Sequence, residues 1–206
     1  MIPISTDAPI YHFPYATIGL MVANVICFAA TGFGEPETTL PWVMEWGHLN
    51  PLEWLTSMFA HMGWGHLIGN MFFLWGFGLI VEGKIGWLRM LGVYMAIGLS
   101  QAALIQAIML PWKEGGALGA SSAIMGLMAI SMVWAPKNEL KVFMILGFRI
   151  LIFDMTIMWY AVVYLFWEIR HVGHAVSGRN EHSGSAFVRS RYRVRSRSSV
   201  SEEGLG

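Results

Sequence analysis

The stretch of sequence that decides the fold reads His61-Met-Gly-Trp-Gly-His-Leu-Ile-Gly-Asn70 and continues as an apolar run to Val81. His66 and Asn70 are four residues apart, so a helix through this run carries both side chains on one face. Lipid cannot satisfy polar side chains, and in a membrane-spanning helix such a pair faces the bundle interior or a cavity. Two interpretations of this pair are open: the side chains form a functional site, or they simply hydrogen-bond to a neighbouring helix. That His61 and His66 bind a metal ion is a weaker hypothesis, since no carboxylate or thiolate at ligand spacing completes a site.

The composition is that of a membrane protein. Of 206 residues, 55% are hydrophobic and only 13% are charged, which is too apolar for a soluble domain of this size. The charges leave several windows near the length of about 20 residues that a helix needs to cross the bilayer. Residues Met1 to Asp7 contain no Lys or Arg, so the first apolar run is expected to be retained rather than cleaved as a signal peptide. The expected surroundings are the lipid bilayer, with no nucleic acid as partner.

Five spanning helices are predicted from the apolar windows. Pro136 ends the fourth of them, because proline cannot donate to the helical ladder. The segment between the first two helices combines Pro with Trp, which is typical of short broken helices at a membrane interface. Residues 142–153 are expected to form a half-buried connector, since Arg149 and Asp154 interrupt the apolar character there. The helices are expected at about 15–32, 65–81, 85–110, 117–135 and 156–169.

The cations predict the orientation, because short cytoplasmic loops are enriched in Lys and Arg. The long segment between the first two helices has neither residue. The connection after the second helix contains one Lys and one Arg, and the connection after the fourth helix contains two Lys. We therefore expect a multi-pass protein with its N-terminus in the cytoplasm. The cations behind this prediction are Lys84, Arg89, Lys137 and Lys141.

A glycine-rich turn leads into the predicted fourth helix. Gly119, Ala123 and Gly126 follow one another at i, i+4 and i+7, so one face of that helix is nearly bare backbone and another helix can pack closely on it. Ser121 lies in the first turn. Free N–H groups and the positive end of the helix at this position could stabilise an oxyanion.

Two stretches carry a family resemblance over about two-fifths of the chain. The first, Met58 to Met71, resembles the second helix of rhomboid proteases and continues into Phe77-Gly, Glu82 and Gly86. The second, Gly119-Ala-Ser-Ser-Ala-Ile-Met-Gly126, resembles the nucleophile motif of the same family. The resemblance implies an all-α, rhomboid-like transmembrane helix bundle and an intramembrane serine endopeptidase.

The resemblance also implies roles for individual residues. Ser121 is the expected nucleophile, activated by a His, while His66, Asn70 and the Ser121 N–H bind the oxyanion. The implied substrates are transmembrane segments of membrane proteins, and neither cofactor nor metal is needed. Ser122 stands where the family usually has Gly. Adjacent residues point about 100° apart around a helix, so only one serine faces the cavity, and the motif selects Ser121.

The C-terminal end departs from the family, which has a sixth helix carrying the general-base His. After Ile169 the chain becomes polar, and from Arg189 to Arg197 every second residue is Arg. Each Arg costs about 3 kcal/mol at the centre of a spanning helix. The predicted fold therefore has five clear spans with a sixth missing or altered. The predicted division is a transmembrane domain over 1–178 and a basic polar tail over 179–206.

Four hypotheses for this end stay open. The tail is a disordered basic arm, solvated or attracted to anionic lipid headgroups. Alternatively, His174, or His171, at the end of the fifth helix replaces the missing base. A third hypothesis is a catalytically dead rhomboid-like protein that binds transmembrane segments without cutting them. The fourth is a one-base frame slip across codons 180–206 that removed a glycine-rich sixth helix. Substrate identity and oligomeric state are left open by the sequence.

Overall fold

The computed structural model describes the backbone of residues 2–112, 115–146 and 149–177, and the side chains of residues 6–112, 115–143 and 152–169. The predicted basic tail, and with it the boundary at 178 and the frame-slip hypothesis, lies outside the described residues. Side chains of His171 and His174 are outside the described set as well, although their backbone belongs to a helix.

The described chain is a bundle of helices with a small sheet at one end. Two helices, α4 and α5, are 22 residues long and apolar enough to cross a membrane, and three shorter apolar stretches accompany them. The prediction of a helical bundle is confirmed. The helices are α1 (Tyr15–Ala30), α2 (Pro36–Thr39), α3 (Pro51–Thr56), α4 (Trp64–Ile85), α5 (Trp87–Ile108), α6 (Ser121–Trp134) and α7 (Ile157–Ser177), with 3-10 turns at Leu40–Trp42 and Ser57–Phe59.

Helix α4 is the centre of the bundle. In its most apolar window 67% of the residues are buried, against 22% for α5, so α4 is surrounded by protein while α5 keeps a broad outer face. Helices α1, α6 and α7 all pack on α4. Asn70 is therefore buried inside the bundle, while His66, nearer the start of α4, is half-buried.

The end of α4 lies at Ile85, four residues beyond the predicted end at Val81. The reason is Glu82, whose buried carboxylate accepts hydrogen bonds from the N–H groups of Ala16 and Thr17 and from the Thr17 hydroxyl, each at 2.7 Å. These N–H groups belong to the first turn of α1, where no helical acceptor exists. The carboxylate thus extends α4 and caps α1 at the same time.

Residues 142–153, predicted as a half-buried connector, do lie between α6 and α7, but they form regular strands. This segment belongs to a hairpin of β4 (Glu139–Leu146) and β5 (Arg149–Thr156), and β1 (Ile2–Thr6) pairs antiparallel with the other edge of β4. Leu140 and Val142 are buried, while Lys141 points outward and contacts Asp154 across the strands at 3.5 Å. Asp154 therefore occupies the outward face of a half-buried sheet rather than marking a break.

The glycine-rich turn before α6 is also more structured than expected. Helix α6 begins at Ser121 rather than near residue 117, because Gly116–Ala117 form a short strand, β3, that pairs with β2 (Met44–Glu45) of the first loop. Of the predicted small-residue face, Ala123 and Gly126 pack on α5, whereas Gly119 lies before α6 and faces α4. A Cβ at Gly126 would come within 2.6 Å of Ile97, and one at Gly98 would lie 3.4 Å from the Cβ of Ala123.

Helix α7 corrects the predicted fifth span, which was expected to end at Ile169 but continues to Ser177. It packs closely on two glycines of α4, Gly69 and Gly76. A Cβ at Gly69 would come within 2.5 Å of the Trp167 ring, and one at Gly76 within 2.5 Å of the Tyr160 ring. Two points of contact seven residues apart on each helix fix an antiparallel register between α4 and α7.

Candidate functional site

The turn that carries Ser121 is fixed by its backbone. Gly119 has φ +114°, a conformation that L side chains rarely adopt, and its N–H donates to the Ser57 carbonyl at 2.7 Å. Two residues later, half-buried Ser121 is the first residue of α6. Ser121 therefore lies in the first turn of a helix, whose N–H groups have no helical acceptor and where negative charge is stabilised.

His66 and Asn70 converge on this turn. A Cβ built on Gly119 would lie 2.8 Å from His66 Nε2 and 3.6 Å from Asn70 Nδ2, so both side chains face the backbone just before Ser121. Asn70 is 2% exposed, and its Nδ2 has no hydrogen-bond partner among the described residues. A buried donor without a protein acceptor is rare. The structure brings His66, Asn70 and the serine turn together, while their catalytic roles stay predictions.

His61 adds a second imidazole beside the first. Its ring is wholly buried and lies 5.0 Å from the His66 ring, centroid to centroid, at an angle of 60°. Burial lowers the pKa of His61 to about 4, against the smaller raising effect of its hydrogen bond to the Phe59 carbonyl. Since a carbonyl only accepts, His61 Nδ1 carries the hydrogen of that 3.2 Å bond. His61 is thus a neutral ring packed on His66, and no third ligand among the described residues makes the two a metal site.

From α7, Tyr164 contacts the turn that carries Ser121, a contact that the sequence did not predict. Its hydroxyl donates to the Ser121 carbonyl at 2.9 Å. The only sequence signal is the spacing of Tyr160, Tyr164 and Trp167, three aromatic residues on one helical face. That pattern is ordinary for a core-facing helix and does not indicate a contact with Ser121.

The predicted bases, His171 and His174, are positions of α7 whose side chains lie outside the described residues. Extending the α4–α7 register past Trp167 gives the level of their backbone. Trp167 meets Gly69, so position 171, four residues further along α7, is level with Gly65, four residues back along α4. By the same count, position 174 is level with Met62, before α4 begins. Both predictions for the base remain predictions.

The first loop contains a group of side chains with metal-ligand chemistry. Ligand atoms of Glu45, His48 and Glu53 all lie within 4.8 Å of one another. However, the Glu53 carboxylate already accepts from the Glu45 N–H at 2.9 Å and from the side-chain amides of Asn50 and Gln106, each at 3.0 Å. Because Gln106 belongs to α5, these bonds attach the first loop to the bundle, and the group has a structural explanation without an ion.

A serine at a helix N-terminus, with a His and an Asn from a second buried helix directed at the same turn, defines a candidate hydrolase site inside a membrane-type bundle. The family model for the Rhomboid domain matches residues 48–178, which include His61, His66, Asn70, Ser121 and Tyr164. The chain belongs to the rhomboid family, a family of integral membrane proteins.

Several curated proteins are similar to parts of the chain. Rhomboid-like protein 11, chloroplastic, of Arabidopsis thaliana is 37% identical over 46% of this chain and 34% of its own length. The rhomboid protease GluP of Bacillus subtilis is 30% identical over 54% of this chain and 20% of its own length. The mitochondrial presenilin-associated rhomboid-like protein of Homo sapiens is 26% identical over 60% of this chain and 34% of its own length. The chain thus spans about a third or less of these relatives. No solved structure matches it.

Proposed function

We propose that this protein is an intramembrane serine endopeptidase that cleaves transmembrane segments of other membrane proteins, with its N-terminus in the cytoplasm and several helices crossing the bilayer. The convergence of His66 Nε2 and Asn70 Nδ2 on the backbone at Gly119, two residues before Ser121, is the observation that carries the proposal. The similarity to a protein named a rhomboid protease supports the same chemistry.

In the proposed reaction the Ser121 hydroxyl attacks the scissile carbonyl carbon while a His takes its proton. The carbonyl oxygen becomes an oxyanion, which His66 Nε2, Asn70 Nδ2 and the first N–H groups of α6 bind. One such donor is worth about 3 kcal/mol to the transition state. The protonated His then gives its proton to the leaving amine, and water hydrolyses the acyl-serine by the reverse sequence.

The base comes from α7 in this proposal. The sequence offers both His174 and His171, and the α4–α7 register favours position 171, which is level with the start of α4 where His66 lies. Position 174 is three residues, or about 4.5 Å of helix, further out. His171 is therefore the first choice and His174 the second.

Labelling with a serine-reactive fluorophosphonate tests the proposal directly. Purified full-length protein in detergent should become labelled at Ser121, identified by peptide mass spectrometry, and Ser121→Ala should not. His171→Ala should label far more slowly than His174→Ala if position 171 supplies the base. Wild-type protein that folds but takes no label at Ser121 would overturn the proposed enzyme activity.

A non-catalytic rhomboid-like protein that binds transmembrane segments is the second candidate function. The composition of residues 189–197 favours it, because each Arg costs about 3 kcal/mol at the centre of a spanning helix and rhomboid proteases carry their base on an apolar sixth helix. Capture of a model transmembrane segment by unlabelled protein, equal in wild type and Ser121→Ala, would support this second candidate.

A further inference from the structure

Helix α7 presents two buried tyrosines that are four residues apart. Tyr160 donates its hydroxyl to the Phe72 carbonyl of α4 at 2.6 Å, and Tyr164 donates to the Ser121 carbonyl of α6 at 2.9 Å. Both residues are 0% exposed. Each of the two hydroxyls thus donates to a backbone carbonyl. Tyr160 bonds to the helix that carries Asn70, and Tyr164 bonds to the turn that carries Ser121.

The ring of Tyr164 has little freedom to move. It packs against Phe73 and Phe77 of α4, with centroid distances of 4.6 and 5.9 Å. A hydroxyl in such apolar surroundings needs an acceptor, because an unpaired buried polar group is costly. The position of the ring, set by α4, therefore determines where the Ser121 carbonyl can lie.

We infer that Tyr164 is a positioning residue for Ser121. The N–H of Gly119 is bonded to Ser57, and the carbonyl of Ser121 is bonded to Tyr164, so the turn is held at two backbone points on either side of Ala120. The first point attaches the turn to the first loop and the second to α7. Together they fix the direction of the Ser121 Cα–Cβ bond and of the first N–H groups of α6 relative to His66 and Asn70.

The catalytic meaning of this inference rests on the proposed function. Reaction rates depend steeply on alignment, and a misplacement of about 1 Å can lower a rate about 100-fold. Loss of one hydrogen bond that aligns the turn should therefore lower the reactivity of Ser121 without changing how substrate binds elsewhere. KM should stay near its original value while kcat falls.

Two matched variants test the inference. Tyr164→Phe and Tyr160→Phe each remove one buried hydroxyl from the same helix, but only the first loses a contact with Ser121. We expect both to lower the melting temperature by similar amounts. Tyr164→Phe alone should lower the rate of fluorophosphonate labelling at Ser121, by about tenfold, and alone should raise amide hydrogen exchange in residues 119–126.

The outcomes separate the inference from the proposed function. Hydrogen exchange reports the turn whether or not the protein is an enzyme. Faster exchange at 119–126 in Tyr164→Phe only, with no labelling even in wild type, would support the anchoring of the turn and overturn the proposed activity. Equal exchange in the two variants, or equal labelling rates where wild type labels, would overturn the positioning role of Tyr164.

Discussion

Gly119 and His66 are in such close contact that the smallest side chain would not fit between them. A Cβ at Gly119 would stand 2.8 Å from His66 Nε2 and 2.9 Å from Cε1, distances that real Cβ atoms do not adopt without movement of a neighbour. The turn before Ser121 is thus shaped by the imidazole of α4. A side chain added at Gly119 must displace His66, the turn, or both.

Gly119→Ala should therefore disrupt the turn that carries Ser121. The methyl group meets the His66 ring, and the residue is strained at φ +114°, so we expect loss of labelling at Ser121 and a loss of stability of about 1–3 kcal/mol. Gly86→Ala is the matched control. It has a similar strain, at φ +78°, but its nearest neighbour would be 3.6 Å away at the opposite end of α4, so it should lose stability and keep labelling. Equal labelling in both variants would contradict a role for the contact.

Asn70→Ala should separate function from packing. Because Asn70 Nδ2 has no hydrogen-bond partner among the described residues, its removal breaks no bond of that group, and the free energy of unfolding should change little. Labelling of Ser121 and substrate turnover should fall about 100- to 1,000-fold, the usual cost of losing one oxyanion donor. His66→Ala should also leave the bundle folded and lower turnover. Unchanged turnover in both variants would remove the oxyanion role, and lost stability with unaltered activity per folded molecule would favour plain interhelical bonding.

Features set by local periodicity could be predicted from the sequence. The i, i+4 spacing placed His66 and Asn70 on one face, and small residues at Ala123 and Gly126 indicated a close helix contact that α5 makes. Residues 139–143 also alternate in burial with period two, but the apolar content of the segment masked that pattern.

Features set by distant partners could not be predicted. Glu82 looks like the polar end of a span until its acceptor role for Ala16 and Thr17, more than sixty residues earlier, is seen. Tyr164 is 43 positions from Ser121, and no spacing rule joins them. The end of α7 was misplaced for a related reason, because a helix that carries polar residues beyond Ile169 resembles a loop when composition is the only guide.

His61 should make the stability of the protein depend on pH. Its pKa in the folded protein is about 4, below the ordinary value of 6.5, so between these values the unfolded chain binds a proton that the folded protein does not. The contribution of neutral His61 to the free energy of unfolding is fully present above pH 6.5. It decreases as the pH falls towards 4, by up to about 3 kcal/mol. Unfolding of detergent-solubilised protein in denaturant, measured from pH 7 to 4.5, should show a smaller decline for His61→Gln. An identical decline would mean that His61 is not kept neutral in the folded state.

The last prediction concerns the two serines and the two candidate bases together. A hydroxyl is a poor nucleophile at neutral pH unless a base takes its proton, so Ser121→Ala and loss of the true base should both stop cleavage of a model transmembrane substrate in liposomes. Ser122→Ala is the control for Ser121, since adjacent residues of a helix point about 100° apart, and it should keep cleaving. Because position 171 is level with the start of α4, His171→Ala should lower cleavage by at least about 1,000-fold, while His174→Ala should retain most of it. The reverse pattern would return the role to His174. If Ser121→Ala alone stops cleavage, the base lies in neither position, and α7 serves only to hold the turn.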